Sequence, residues 1–115
     1  MARPLGLVRS ARMPIQGPRH PFTAKGTAAS PQDSGVFVLW DRDEAIYIGR
    51  TAGQQTIHAA LTDHLRGAYG TCTQFADQFS FEVAAQPAPR EQELMEEFGS
   101  QHGRLPRCQN VARHG

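Results

Sequence analysis

Long hydrophobic runs are missing from this sequence. No apolar stretch approaches the roughly 20 residues needed to span a bilayer, and no secretory leader pattern is visible. Cysteine is scarce: Cys72 and Cys108 are the two in 115 residues. That is too few for a disulfide framework or a cysteine-built zinc site, so both read as reduced thiols. Apolar residues are also sparse, at 39%. Part of the chain is therefore expected to lie outside the core, and one domain is the limit for this length. Acid is absent from residues 1–32, where Arg3, Arg9, Arg12, Arg19 and Lys25 stand unopposed and give +5. The remainder holds 7 basic and 11 acidic side chains, or −4, so the net charge of +1 conceals a basic tail on a mildly acidic body.

The tail also carries Pro4, Pro14, Pro18, Pro21 and Pro31. Proline fixes φ and removes a backbone donor, so no long helix or paired strand is expected there. Residues 1–32 read as a disordered basic extension able to touch nucleic acid non-specifically. An organelle-targeting peptide is the less favoured reading, since the prolines spoil the amphipathic helix it requires, and a cytoplasmic location is expected.

From residue 33 onward the pattern is that of a folded domain. Gly35-Val-Phe-Val-Leu-Trp40 and Ala45-Ile-Tyr-Ile-Gly49 are β-type runs, joined by polar Asp41–Glu44 as a hairpin. Alternation places Gly35, Phe37 and Leu39 on one face and Val36, Val38 and Trp40 on the other. In the second run it groups Ala45, Tyr47 and Gly49 against Ile46 and Ile48. A helix from about Gln55 to Arg66, ended by Gly67, turns Ile57, Ala60, Leu61, His64 and Leu65 inward. Residues 67–78 read as a loop or short helix, and Phe79–Val83 as a third strand. A second helix runs from Pro87 to about Gln101, with Pro89 in its first turn. These elements predict an α+β domain with a three-stranded antiparallel sheet flanked by helices.

Three side chains invite a chemical reading. Glu91 shares the inward stripe of Leu94, Met95 and Phe98, whereas Glu93, Glu96 and Glu97 turn to solvent. An inward carboxylate is costly without compensation. It either complements the helix N-terminus or offers a hard oxygen to a divalent ion. His64 is either a hydrogen-bonded core residue or a site residue, and Tyr47 is either packing or chemistry.

Their order along the chain resembles the GIY-YIG nuclease family. Gly35-Val36-Phe37 and Tyr47-Ile48-Gly49 stand in the places of the two tripeptides that name it. His64 matches the histidine of the first helix. Glu91, with Leu94 and Met95, matches the metal-binding glutamate, and Pro106 with Asn110 matches the terminal element. Arg90-Glu-Gln-Glu-Leu-Met95 and Gly103-Arg-Leu-Pro-Arg-Cys108 resemble the small stand-alone bacterial members. The resemblance covers about two-thirds of the chain.

It implies metal-assisted hydrolysis of a DNA phosphodiester with one Mg²⁺ or Mn²⁺ on Glu91. Tyr47 and His64 would act as catalytic residues, helped by Arg50, and Gly35, Phe37, Gly49 and Asn110 would serve as structural motif positions. DNA is the implied partner, with no membrane and no small-molecule cofactor. Two departures stand out. Phe37 lacks the hydroxyl of the family tyrosine, and Ala60 replaces the arginine that anchors phosphate. His58 and Arg66 are badly aimed to stand in for it, while Arg104, Arg107 and Arg113 form a candidate basic patch. The alternative implication is an inactive domain retained to bind DNA or protein.

Overall fold

The hairpin is the centre of the architecture. In the computed structural model, which describes residues 15 and 17–110, strands β2 (Gly35–Asp41) and β3 (Glu44–Arg50) pair antiparallel across a two-residue turn. Before them come β1 (His20–Pro21) and helix α1 (Ala24–Ala28); after them come α2 (Ile57–Leu65), α3 (Thr71–Gln74), β4 (Gln78–Val83) and α4 (Pro87–His102). Among the described residues the strands form one antiparallel sheet in the order β1-β4-β2-β3. The α+β class is as expected, with four strands rather than three.

The additional strand corrects the reading of the N-terminal segment. Pro21 sits at the sheet edge, where a missing donor is tolerated. Phe22 behind it is buried against Phe79, and Thr23 caps α1 by accepting from the Gly26 amide at 3.0 Å. Burial of one aromatic ring and a local cap outweigh the proline content of residues 20–28. Residues 1–14 and 16, which hold Arg3, Arg9 and Arg12 of the proposed tail, are outside the described residues.

Both sheet faces are covered. Phe37, Leu39 and Phe79 pack with Ile57, Ala60 and Leu61 of α2, and with Phe22. Val36, Val38 and Ile48 pack on the other face with Leu94 and Phe98 of α4. Thr56 starts α2 by accepting from the Ala59 amide, and Gly67, at φ 83°, follows its end. Gly103 closes α4 at φ 69°.

Alternation along β3 is broken by a bulge. Leu39 pairs with Tyr47 but Trp40 pairs with Ala45, leaving Ile46 as the extra residue. Ile46 therefore joins the α2-side core with Tyr47, and Ala45 packs with Ile48 on the α4 side. This reverses the expected grouping of Ala45 and Ile46.

The outer edge of β3 is closed by the segment after α4. The Cys108 amide donates to the Ile46 carbonyl at 2.9 Å. The buried side chain of Gln109 accepts from the Ile48 amide at 3.0 Å and donates to the Ile48 carbonyl at 2.7 Å. One amide side chain thus acts as a short edge partner. Gln109, rather than Asn110, supplies the buried amide near the chain end; Asn110 is exposed. Cys72 and Cys108 form a disulfide, with Cα atoms 5.6 Å apart, contrary to their expected state as free thiols. Thirty-six positions separate them in sequence, and only the fold brings α3 against the Cys108 segment.

Candidate active site

Tyr47 and Arg50 come from β3, His64 from α2 and Glu91 from α4, and all four line one cleft of about 270 Å³. Phe37, Ala52, Gln55, Ala60 and Tyr69 complete its wall. Strand, bulge and glycine geometry decide what reaches it. Phe37 pairs with Gly49 in the sheet register. A Cβ on Gly49 would lie 2.5 Å from Phe37 Cζ and 2.8 Å from Tyr47 Cε2, so only glycine leaves room for both rings. The Phe37 ring is 1% exposed. At Gly35 a Cβ would meet the Glu82 carbonyl oxygen at 2.2 Å, which explains glycine at the start of β2.

His64 is the most enclosed polar group of the cleft. Its Nδ1 lies 2.8 Å from the buried Thr73 hydroxyl on α3. Phe37 stands edge-on to its ring at 5.6 Å, and Tyr47 and Tyr69 approach to 4.8 and 4.4 Å between centroids. Desolvation by burial lowers its pKa to about 4, so the imidazole is neutral at physiological pH.

Glu91 lies at the cleft as the inward stripe of α4 requires, with Leu94 and Phe98 buried beneath. Its side chain is 19% exposed, and the Arg50 guanidinium faces it at 3.3 Å. Arg50 is 41% exposed. The cleft thus holds a partly buried carboxylate beside a solvent-facing cation. A single hard carboxylate that leaves further positions to water suits an ion of the Mg²⁺ type. Among the described residues no group of three or more His, Cys, Asp and Glu forms a ready-made metal cage.

Neither His58 nor Arg66 lines the cleft to stand in for the family arginine. Ala60 is buried in the cleft wall without charge. His58 faces α1, with Nδ1 2.9 Å from the Thr27 carbonyl, and Arg66 pairs with Asp63. The candidate basic patch is largely neutralised. Arg107 bonds Asp41 at 2.6 Å and Glu44 at 2.5 Å, and Arg104 lies 3.8 Å from Glu44. Arg113 lies outside the described residues. Arg19, assigned to a loose basic tail, instead stacks on Trp40 at 3.7 Å and pairs with Asp43.

A larger groove of about 440 Å³ runs between α4 and the sheet, past Trp40, Val38 and Phe98. Its base is apolar core surface, and its charges sit on the rim. Tyr69, by contrast, is a cleft residue that pattern reading missed. Its one sequence signal is a tyrosine between Gly67 and Gly70, directly after the histidine helix.

Compared with known proteins, the chain matches no family model and no curated protein. No described helix is long and apolar enough to cross a membrane.

Proposed function

We propose that the chain is a GIY-YIG-type, divalent-metal-dependent phosphodiesterase acting on DNA, with its site in the cleft of Tyr47, Arg50, His64 and Glu91. The observation that carries this reading is the convergence of these four side chains, from three separate elements, on one cleft. Glu91 would hold one Mg²⁺ or Mn²⁺, which supplies charge stabilisation to a phosphate. Arg50 offers a planar pair of donors to the same phosphate and takes the anchoring task that Ala60 cannot perform. Neutral His64, fixed by Thr73, accepts or relays a hydrogen bond rather than adding charge. The Tyr47 phenol orders the attacking water. The cleft, not a broad basic face, would provide substrate contact, because the exposed Arg66, Arg104 and Arg107 are paired with acids. A cytoplasmic location would leave Cys72 and Cys108 mostly reduced; non-reducing electrophoresis of protein alkylated in intact cells decides between that placement and the Cys72–Cys108 bond.

A second reading is an inactive domain retained for binding, favoured by uncharged Ala60 and hydroxyl-free Phe37 in the cleft wall. Nicking of supercoiled plasmid with Mn²⁺ separates the two. The enzymatic reading expects wild-type nicking that Glu91→Gln abolishes, with Ala60→Arg raising the rate. Salt-sensitive plasmid binding without nicking, together with activity gained only in Phe37→Tyr/Ala60→Arg, would establish the second reading.

A further inference from the structure

Tyr69 is the cleft phenol with no assigned task, and the surrounding chain is organised to hold it there. It stands in the turn between α2 and α3, within the segment bounded by Gly67 and Gly70 at φ 83° and 98°. Glycine adopts these conformations without the penalty other residues meet. The turn is closed by Gly67 N–H to the His64 carbonyl at 3.0 Å, Ala68 N–H to Asp63 at 3.0 Å, and Gly70 N–H to Gly67 at 3.1 Å. The chain that follows is fixed twice, by Thr73 against His64 and by Cys72 bonded to Cys108.

The product of this bracing is a half-buried phenol whose ring lies on the His64 imidazole, centroids 4.4 Å apart and planes inclined by 35°. That approach is closer than the 4.8 Å of Tyr47 to the same imidazole. The ring packs on His64, and the phenol adds a polar tip that a phenylalanine there would lack. Its hydroxyl is both donor and acceptor. Around Glu91 the cleft lining carries the N–H and O–H groups of Arg50, Gln55, Tyr47 and Tyr69, whereas Phe37 contributes none.

Resting on the hydrolytic reading above, we propose that Tyr69 is a catalytic residue whose O–H donates a hydrogen bond to a non-bridging phosphate oxygen of the bound phosphodiester. The donor shares the charge that grows on that oxygen as water adds to phosphorus and gives its proton to solvent, while the bond to the leaving oxygen breaks and its electron pair departs on that oxygen. It transfers no proton itself. Removing one aimed donor of this kind costs about 10²–10³ in rate in well-organised sites.

The experiment uses the full chain with Mn²⁺ and bis(4-nitrophenyl) phosphate, a small phosphodiester that removes DNA affinity from the comparison. Tyr69→Phe keeps the ring on His64, so its melting temperature and the His64 titration are expected to match wild type. Its kcat is expected to fall at least tenfold at unchanged Mn²⁺ affinity, and Phe37→Tyr in that background to recover part of the loss. Wild-type kcat in Tyr69→Phe, with turnover abolished in Glu91→Gln, would overturn this inference and leave the hydrolytic reading standing. Equal inactivity of wild type and Glu91→Gln on both this probe and plasmid would overturn both.

Discussion

Mild acid should destabilise this protein through His64. The imidazole is 3% exposed, and three rings surround it. Burial lowers its pKa to about 4 from an ordinary 6.5. The sign follows directly. Between those values the unfolded chain takes up a proton that the folded chain refuses, so stability falls as pH decreases. The contribution is fully present above about 6.5 and is lost progressively down to about 4. The whole shift corresponds to about 3 kcal/mol, and the step from pH 7 to pH 5 to about 2 kcal/mol. Urea unfolding of wild type and His64→Gln at both pH values isolates this residue from the other histidines. The variant is expected to be less stable at pH 7 but to lose about 2 kcal/mol less than wild type on acidification. Equal losses in the two proteins would refute the reasoning.

Four further outcomes follow from the same packing. Gln109→Ala strands a buried donor and acceptor on Ile48 and is expected to cost about 2–4 kcal/mol in chemical denaturation; a loss below about 0.5 kcal/mol would remove the edge-partner role. Gly35→Ala drives a Cβ against the Glu82 carbonyl and should cost about 1–3 kcal/mol or prevent folding. Gly99→Ala, which meets nothing within 4 Å on α4, should instead raise the melting temperature through about 0.5–1 kcal/mol. Reducing the Cys72–Cys108 bond, whose residues are 36 positions apart, should lower stability by about 4 kcal/mol on chain-entropy grounds, read as a dithiothreitol-dependent shift that Cys72→Ser/Cys108→Ser abolishes.

Much of this architecture was legible because its signals are local. The two β-type runs, the inward stripe of α2 and the position of Glu91 on α4 follow from periods of two and 3.6 residues. The bulge at Ile46 was not legible, since one unpaired residue inverts a face without altering composition. The docking of Phe22 was not legible among the prolines around it, although a single buried ring suffices to dock a short strand. The disulfide and the Gln109 amide depend on what lies across the fold at Cys72 and Ile48, which no spacing along the chain encodes. At the cleft, order along the chain singled out Tyr47, Arg50, His64 and Glu91. Tyr69 escaped because a loop residue has no period.

The central claim is that Glu91 makes this cleft a divalent-metal site shared with Tyr47, His64 and Tyr69. Paramagnetic broadening by Mn²⁺ measures that directly, residue by residue, without requiring turnover. The expected result is selective, saturable loss of the Tyr47, His64 and Tyr69 ring signals in wild type, absent in Glu91→Gln. Broadening that ignores these rings, or persists unchanged in Glu91→Gln, would contradict the account.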